Sequence, residues 1–326
     1  MKAVHVTRFG APEVLEAVEL PDPRPGPGQV AIDVSHAAVG LIDVFFRQGL
    51  FKDQEGLPRP PFIPGLEVAG TVRALGDGVT GLAVGEKVVT LSATGTGGYA
   101  SVLVSDQALV VSTEGYDIDP ALAVAAVPNA AMAHLALTGV ARMSAGESVL
   151  VHGALGGFAS AFPGVARQLG ASRVVGSVRT SKLGAASTTR LPYDRIVDSA
   201  ELPDALDGQV FDVIIDPVGG EVRARSLDLL APSGRLLLVG NASGDWGHLL
   251  DSNRLWLGGL TVSGFSAGSY LPTHLDELRP AAEAALRAVA DGLAHTEVDV
   301  LPLADAVTAH ERMESRSVGG RIVLTP

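Results

Sequence analysis

The sequence predicts an α/β protein with two domains, a small antiparallel β domain and a doubly wound parallel-sheet domain. The chain has 326 residues, of which 47% are hydrophobic, so it can bury two cores. Up to about residue 118, short β-type runs are separated by Pro and Gly, which is typical of an antiparallel, barrel-like sheet. From Val149 onward, short apolar runs alternate with helical segments, as a parallel sheet covered on both faces requires.

Each element follows from a local pattern. Strands of the first domain are predicted at 29–34, 69–72 and 86–89. Asp119 and Pro120 supply an N-cap and a first-turn proline for an alanine-rich helix. Parallel strands are predicted at 149–151, 173–176, 195–197, 211–215 and 235–239, followed by a long helix over 273–293, a short helix near 305–314 and a last strand at 321–324. We expect domains at 1–120 and 121–264, with 265–326 returning to the first.

Composition excludes several classes of protein. The net charge of −12 and the pI near 5.1 argue against a nucleic-acid partner. The absence of cysteine excludes disulfides, thiolate catalysis and Cys-ligated zinc. The apolar stretch 121–141 contains Pro128, Asn129 and His134, which favours a pair of buried helices over a membrane span. The first residues lack the pattern of a signal peptide, so we expect a cytoplasmic protein without a membrane partner.

The loop at 152–159 predicts a dinucleotide-phosphate turn, because it follows the apolar run 148–151 and reads G-x-x-G-G-x-A. Glycines there let the backbone approach a pyrophosphate, as Gly153, Gly156 and Gly157 would, beside the N–H group of Phe158. Ala159 stands where a close contact between helix and strand would favour glycine. Pro163 falls inside the expected helix, so we expect regular helix to begin late, with Ser160 as its cap, or to kink between Ala159 and Pro163.

Several stretches together resemble one family over nearly the whole chain. They include Phe9-Gly10-Ala11-Pro12, the Pro-Gly-Pro-Gly-Gln-Val run at 25–30, Arg47-Gln48-Gly49-Leu50, Pro64-Gly65-Leu66-Glu67, Asp216-Pro217-Val218-Gly219-Gly220, Val239-Gly240-Asn241 and the end at 314–324. The chain resembles the zinc-independent quinone oxidoreductases of the medium-chain dehydrogenase/reductase superfamily. The resemblance implies a GroES-like β domain joined to a Rossmann domain, and a homodimer.

The same resemblance implies that the metal site of the related zinc alcohol dehydrogenases is lost. Their cysteine ligand falls at Gly40 and their histidine at Leu66, which leaves Asp43 and Glu67 without N or S partners. We expect no metal here, and we expect the Glu67 carboxylate to be satisfied by neighbouring backbone or by an arginine.

The cofactor is predicted from the end of the second parallel strand. The segment after Gly176 carries Ser177, Arg179 and Lys182 and no acidic residue to receive a ribose 2′-hydroxyl. Cations and hydroxyls suit a 2′-phosphate, which favours NADPH over NADH. The resemblance adds Arg316 to this patch and places a family tyrosine at Ser199. It also implies that the cofactor contacts Val218, Asn241, Phe265 and Ser266.

The resemblance also places the substrate pocket. The positions at which the family carries polar side chains are Gly40, Phe45, Phe51 and Met132 in this chain, and none of these four residues has a polar side-chain group. We expect an apolar pocket lined by these residues, Phe46 and Tyr270, suited to a planar aromatic or enone substrate. Phe45, Phe46 and Phe51 could equally be core residues. No general acid is evident, since His36 and His134 fit ordinary core histidines, so the catalytic residues stay unassigned.

These features predict an NADPH-dependent reductase of quinones or other conjugated carbonyl compounds that transfers hydride without a metal. One alternative is an enoyl reductase acting on a specialised metabolite, although Phe45 lacks the hydroxyl that would protonate a carbon atom. A further alternative is a nucleotide-binding module without turnover. The excess of arginine over lysine, with abundant alanine and glycine, suggests a bacterial source with GC-rich DNA.

Overall fold

The computed structural model describes residues 1–91 and 96–326, and the chain packs as two compact units. The first contains Met1–Ala131, His274–Ala290 and Thr296–Pro326, and the second contains Met132–Thr273 and Asp291–His295. The C-terminal segments His274–Ala290 and Thr296–Pro326 thus pack with the first unit, and the return of 265–326 to the first domain stays a prediction. The two packing units meet in the sequence at Ala131 and Thr273. The boundaries of functional domains at 120 and 264 stay a prediction.

The first unit is built mainly from antiparallel strands. Its strands are β1 Lys2–Val6, β2 Leu15–Glu19, β3 Gln29–Ala38, β4 Val68–Leu75, β5 Lys87–Thr90, β6 Val102–Asp106, β7 Val110–Ser112, β14 Val298–Pro302 and β15 Arg321–Thr325. Within the described residues, seven of these form one sheet in the order β14-β15-β3-β4-β5-β7, with β6 also paired to β3. Only β14 and β15 run parallel to each other. The predicted mainly antiparallel domain is therefore confirmed.

The second unit is a parallel sheet. Its strands are β8 Ser148–His152, β9 Arg173–Val178, β10 Arg195–Asp198, β11 Phe211–Asp216, β12 Leu230–Leu238 and β13 Thr261–Gly264. All neighbours are parallel, in the order β10-β9-β8-β11-β12-β13. The central strand β8 is buried along its whole length, since helices cover a doubly wound sheet on both faces. The order reverses at β8 and β11, and ligands of such sheets bind outside the carboxyl ends of strands at that point.

The helices connect these strands. They are α1 Leu41–Gln48, α2 Pro120–Leu135, α3 Phe162–Gln168, α4 Leu183–Ala186, α5 Gly220–Ser226, α6 Ser252–Gly258, α7 Ala267–Tyr270, α8 Leu275–Ala290 and α9 Ala306–Glu314. Asp119 caps α2 as predicted, because its carboxylate accepts from the N–H groups of Ala121 (2.9 Å) and Leu122 (3.3 Å).

The predicted pair of helices over 121–141 is wrong. One helix continues from α2 through a π-helical turn at Ala136–Val140, despite Pro128 in its interior. The stretch Pro120–Val140 is long and apolar enough to span a membrane, yet 83% of its most apolar window is buried within the protein. Burial on all sides is what a core helix shows, and it explains why no amphipathic periodicity marks the segment.

Candidate functional site

The predicted phosphate turn lies at the carboxyl end of β8. Gly153 adopts a left-handed φ of 61°, and its carbonyl accepts a hydrogen bond of 2.7 Å from Gly156 N–H. The turn also approaches the neighbouring strand closely, because a Cβ atom added at Gly176 would lie 2.7 Å from the Cβ of Ala154. Gly176 is therefore needed for the turn to lie against β9, a requirement that the sequence did not reveal.

The helix after this turn begins late, as predicted. A single 3₁₀ turn at Ala159–Ala161 precedes α3, and Pro163 falls in the first turn of α3, where proline is tolerated. The predicted cap, Ser160, is wrong: Ala161 is the N-cap residue, and Ser160 Oγ donates to the Gly157 carbonyl at 3.1 Å. Ser160 lies within the 3₁₀ turn, one residue before the N-cap position, so its hydroxyl is not placed to cap α3.

Close packing of α3 depends on Gly164 rather than on residue 159. A Cβ atom at Gly164 would lie 2.1 Å from the carbonyl oxygen of Leu293, a distance that no side chain can occupy. Ala159 is itself buried, at 2% exposure, so a methyl group is accommodated there. The alanine in the turn is thus compatible with a packed helix.

A second part of the site is organised by Asp216 at the end of β11. Its Oδ1 accepts from the N–H groups of Val218 and Gly219, both at 2.8 Å, and its Oδ2 accepts from Arg223 Nε at 2.6 Å. Arg223 Nη2 in turn donates to the Gly240 carbonyl at 2.7 Å. This network ties the loop after β11 to the loop after β12. Sequence reasoning quoted Asp216 only as part of a motif and missed Arg223, since an arginine on a helix gives no signal of its partner.

Asn241 provides the structural test of whether a cofactor fits here. Its side chain is buried, and its Oδ1 accepts from Ser243 Oγ at 3.3 Å. Its Nδ2 is buried and has no hydrogen-bond partner among the residues that the structure describes. Buried amide donors are rarely left unpaired in folded proteins, so this N–H group is suited to a polar ligand atom. A Cβ atom at Gly219 would lie 1.8 Å from Asn241 Oδ1, so the loop after β11 can pass Asn241 only with glycine.

The predicted phosphate patch is only partly assembled. Arg179 is exposed and lines a groove of about 410 Å³ that contains the predicted tyrosine position, Ser199. The groove is lined by Arg179, Thr180, Asp198, Ser199, Ala200, Leu202, Glu221, Val222, Arg225 and Leu229. Lys182 closes the 3₁₀ turn after Arg179 and is half-buried, outside this lining.

Carboxylates share the groove with the two arginines. Arg225 forms an ion pair with Glu221, so its charge is partly balanced. Hydrogen bonds from Thr180 and from the N–H of Ala200 lower the pKa of the Asp198 carboxyl. Asp198 therefore remains an anion at neutral pH. Arg179 is the groove residue that the sequence analysis predicted to bind the 2′-phosphate.

Ser177 does not face this groove with its hydroxyl. The side chain is 1% exposed, and its Oγ lies 2.7 Å from Nδ1 of His152. His152 is also buried, and its Nε2 lies 2.9 Å from Ser226 Oγ. Burial lowers the pKa of His152 to about 4, so the imidazole is neutral at physiological pH.

In the first unit, α1 carries the predicted aromatic residues. Gly40 is its N-cap, and Asp43 accepts from Gly40 N–H at 2.8 Å and from Gly65 N–H at 3.0 Å. Phe51 contacts Phe45 and Phe46 edge-to-face, with ring centroids 6.3 and 6.0 Å apart. Phe46 packs against the core, whereas Phe45 and Phe51 are half-buried outside it. The structure thus brings two of the predicted pocket residues together.

Two buried carboxyl groups lie where a metal site would be expected from the related dehydrogenases. Glu67 forms a buried ion pair with Arg321, which confirms that an arginine satisfies it. Burial raises the pKa of Glu67 despite this partner. Burial also raises the pKa of Asp43 to about 7, against the effect of its two backbone hydrogen bonds. Within the described residues, no group of three or more His, Cys, Asp or Glu side chains is arranged to hold a metal ion.

The remaining predicted residues are distributed over both units. In the second unit Met132 is buried on α2, and Phe265 contacts Tyr270 with ring centroids 5.5 Å apart. Ser266 is the exposed N-cap residue of α7. Arg316 lies in the first unit, exposed, with a left-handed φ of 55°. These positions neither confirm nor contradict the predicted contacts with substrate and cofactor.

The histidines that were considered as general acids have other surroundings. His36 is half-buried beside Ser35 Oγ at 3.0 Å, and burial lowers its pKa. His134 is half-buried on α2, and its carbonyl accepts from Thr138 Oγ1 at 2.8 Å.

Comparisons with known proteins agree with this architecture. Residues 26–115 match the alcohol dehydrogenase GroES-like domain, and residues 169–324 match the zinc-binding dehydrogenase family. A quinone oxidoreductase from Sus scrofa is 30% identical, with 99% of this chain and 97% of the relative covered. A 2-haloacrylate reductase from a Burkholderia species is 29% identical over 99% of this chain and 98% of the relative.

A solved structure supports the same conclusion. The quinone oxidoreductase of Escherichia coli complexed with NADPH superposes with a TM-score of 0.85 at 27% identity, and both chains are covered completely. The fold and the relatives agree over the whole length of the chain. The chain therefore belongs to the quinone oxidoreductase-like family of medium-chain dehydrogenases and reductases, which are NAD(P)-dependent oxidoreductases.

Proposed function

We propose that this protein reduces quinones and other α,β-unsaturated carbonyl compounds with NADPH as reductant. The observation that carries the proposal is the half-buried aromatic pair on and after α1. Phe45 and Phe51 present ring faces and edges without a hydroxyl or an amide, at positions where the resemblance expects polar groups. Such a surface favours a flat apolar molecule over a hydroxylated one.

NADPH is the cofactor of this enzyme, and the residues of the second unit fit it. The turn at 153–158 offers glycines at the end of β8, Asn241 offers a buried amide donor, and Arg179 offers a guanidinium group beside a groove. A guanidinium group binds phosphate through charge-assisted hydrogen bonds, which supports NADPH over NADH. When bound, NADPH supplies a hydride, and the protein's part is to bind, orient and exclude water.

The residues at the metal positions do not fit a zinc ion. Gly40 has no side chain, Leu66 has no donor atom, and Glu67 is already paired with Arg321. A catalytic zinc site needs about three protein ligands. The proposed reaction therefore uses no metal ion. A quinone becomes more basic as it accepts hydride and can take its proton from solvent, so this reaction does not require a buried acid.

The 2-haloacrylate reductase among the relatives acts, by its name, on an activated alkene. Its similarity supports conjugated acids or enoyl thioesters as a second class of substrate. Phe45 lacks a phenolic hydroxyl that could protonate the carbon atom beside the carbonyl group of such a substrate. The missing hydroxyl favours quinones as substrates.

The test is NADPH oxidation, followed by the loss of its absorbance, with 9,10-phenanthrenequinone, 1,4-benzoquinone, 2-chloroacrylate and a crotonyl thioester. We expect turnover with quinones and slower turnover with the alkenes. Phe45→Asn should lower kcat/KM for quinones about tenfold, mainly through KM, because it places a polar group against the substrate. NADPH affinity should not change.

The matched control is Leu50→Asn, since Leu50 is close in sequence and 45% exposed. It should behave as the unaltered protein. Turnover with the thioester that exceeds turnover with every quinone would favour the enoyl reductase. Tight NADPH binding without turnover of any compound would favour a binding module.

We also propose a homodimer. Strand β13 is the end strand of the parallel sheet, and α6 directly before it exposes Trp256 and Leu257, each at 78%. An end strand beside exposed apolar side chains is a surface that soluble proteins usually cover.

A further inference from the structure

His152 is the last residue of β8, and both of its ring nitrogens are within hydrogen-bond distance of a serine. Nδ1 is 2.7 Å from Ser177 Oγ on β9, and Nε2 is 2.9 Å from Ser226 Oγ at the end of α5. The imidazole is fully buried. One side chain thus connects the ends of three elements: β8, β9 and α5.

The hydrogen bonds of Ser226 determine which ring nitrogen carries the proton. Ser226 Oγ donates its single proton to the Val222 carbonyl at 2.7 Å. It can therefore only accept from His152, so Nε2 must carry a hydrogen atom. In a neutral imidazole Nδ1 is then an acceptor, and the Ser177 hydroxyl donates to it. We call this chain of groups, Ser177–His152–Ser226, the buried relay.

The buried relay joins the two walls of the groove. One wall includes Arg179 and Thr180, which follow Ser177 and Val178 in the chain. The other includes Glu221, Val222 and Arg225, which lie on α5 with Ser226. A shift of His152 would therefore move the two walls relative to each other. Its hydrogen bonds are fully buried, so water cannot replace them without cost.

We propose that His152 is a positioning residue that holds the Arg179 wall against α5 and thereby sets the preference of this enzyme for NADPH over NADH. The proposal rests on the proposed function, because it assumes that Arg179 meets the 2′-phosphate. His152 does not touch the cofactor in this scheme. It acts through Ser177 on one side and through Ser226 on the other.

The test compares dissociation constants for NADPH and NADH, measured by fluorescence titration. Arg179→Ala should abolish most of the preference, which locates it in the groove. His152→Phe keeps the ring shape but breaks both hydrogen bonds, and it should lower the preference about tenfold. His152→Gln, whose amide can still donate to Ser226, should restore part of it.

The matched control is His310→Phe. His310 is equally buried and hydrogen-bonded to Tyr99 at 3.1 Å, but it belongs to the first unit. Its replacement should leave the ratio of the two dissociation constants unchanged. If His152→Phe does not fold, as judged by its thermal unfolding, the single variants Ser177→Ala and Ser226→Ala each break one of the two hydrogen bonds. Each of them should lower the preference for NADPH over NADH.

A second readout does not depend on cofactor. Nitrogen chemical shifts of ¹⁵N-labelled histidine should show His152 as the Nε2–H tautomer at neutral pH, and an Nδ1–H tautomer would overturn the proposal. A preference for NADPH that survives every relay variant refutes this inference alone. An unaltered protein that binds neither dinucleotide refutes the proposed function together with it.

Discussion

At the scale of single residues, Asp43 is a buried acid with a strongly raised pKa. Its carboxyl is 1% exposed, and burial opposes the charge that two backbone N–H groups stabilise. Because burial dominates, the pKa rises from 3.8 to about 7 in the folded protein. The folded state therefore holds a proton that the unfolded state releases between these two values.

This shift has a defined sign. An acid whose pKa is higher in the folded state stabilises the fold below its unfolded value and loses that contribution as pH rises through its folded value. We expect the contribution of Asp43 to the free energy of unfolding to fall between about pH 4 and pH 7, whereas the lowered pKa values of the buried His152 and His310 make their contributions rise with pH. The Asp43 contribution is therefore the difference between the unaltered protein and Asp43→Asn, which should shrink over this pH range because the amide does not titrate. Urea unfolding at several pH values measures it.

Asp43→Asn should also be less stable than the unaltered protein near pH 5 by about 1–3 kcal/mol, because the amide NH₂ cannot accept from a backbone N–H. Asp33→Asn is the control, since the Asp33 side chain is 56% exposed in its ion pair with Arg73. Equal pH dependence in all three proteins would contradict the assignment to Asp43.

The buried ion pair shows how far single residues can be predicted. The sequence indicated that Glu67 needs backbone or an arginine, because a carboxylate that has lost its metal partners must be satisfied. It did not indicate Arg321. The partner is distant in sequence and becomes a neighbour only when β15 joins the first unit, so local patterns carry no information about it.

At the scale of elements, strands were easier to predict than the starts of helices. Strands β8 and β11 are short, apolar and flanked by turn residues, so their positions were evident. The sequence predicted a late start for α3, because proline is tolerated only in the first turn of a helix, and this late start was confirmed. The predicted cap was wrong because Ser160 lies within the 3₁₀ turn and α3 begins one residue later than a cap at Ser160 requires.

The contact at Gly164 gives a prediction for α3. Gly164→Ala should lower the free energy of unfolding by about 1–3 kcal/mol, because the new Cβ atom would overlap the Leu293 carbonyl oxygen and the backbone must move. Denaturant unfolding followed by circular dichroism measures this effect.

A second helical glycine serves as the control. Gly184 on α4 has no atom within 4 Å of an added Cβ atom, so Gly184→Ala should be neutral or stabilise the protein by up to about 1 kcal/mol. If both substitutions have the same effect, helix propensity rather than the contact with Leu293 explains it.

At the scale of the whole molecule, the presence of two different sheet architectures was predictable from the sequence. A change from Pro- and Gly-punctuated β runs to alternating strands and helices marks the two architectures. The long helix Pro120–Val140 was not predicted as one helix, because burial on all sides removes the periodicity that shows where a helix ends.

The proposed dimer belongs to this scale. Light scattering should give twice the chain mass of 33.4 kDa for the unaltered protein. Leu257→Asp should shift it toward the monomer mass, because a charge in an apolar interface would be desolvated without a partner. Val84→Asp is the control, since Val84 is 64% exposed in the first unit and should leave the mass unchanged. A monomer at micromolar concentration without any substitution would refute the proposed dimer.

The return of the chain to its first unit bears on how the protein is made. Strand β3 pairs with β15 through Ala37 and Ala38, so this end of β3 lacks its partner until β15 has been synthesised. The second unit lies between these partners, and its sheet is complete once Gly264 has been synthesised. Since domains generally fold as units during synthesis, the second unit can fold while the first is still unfinished. Chaperone demand should therefore fall mainly on the segment that is translated first.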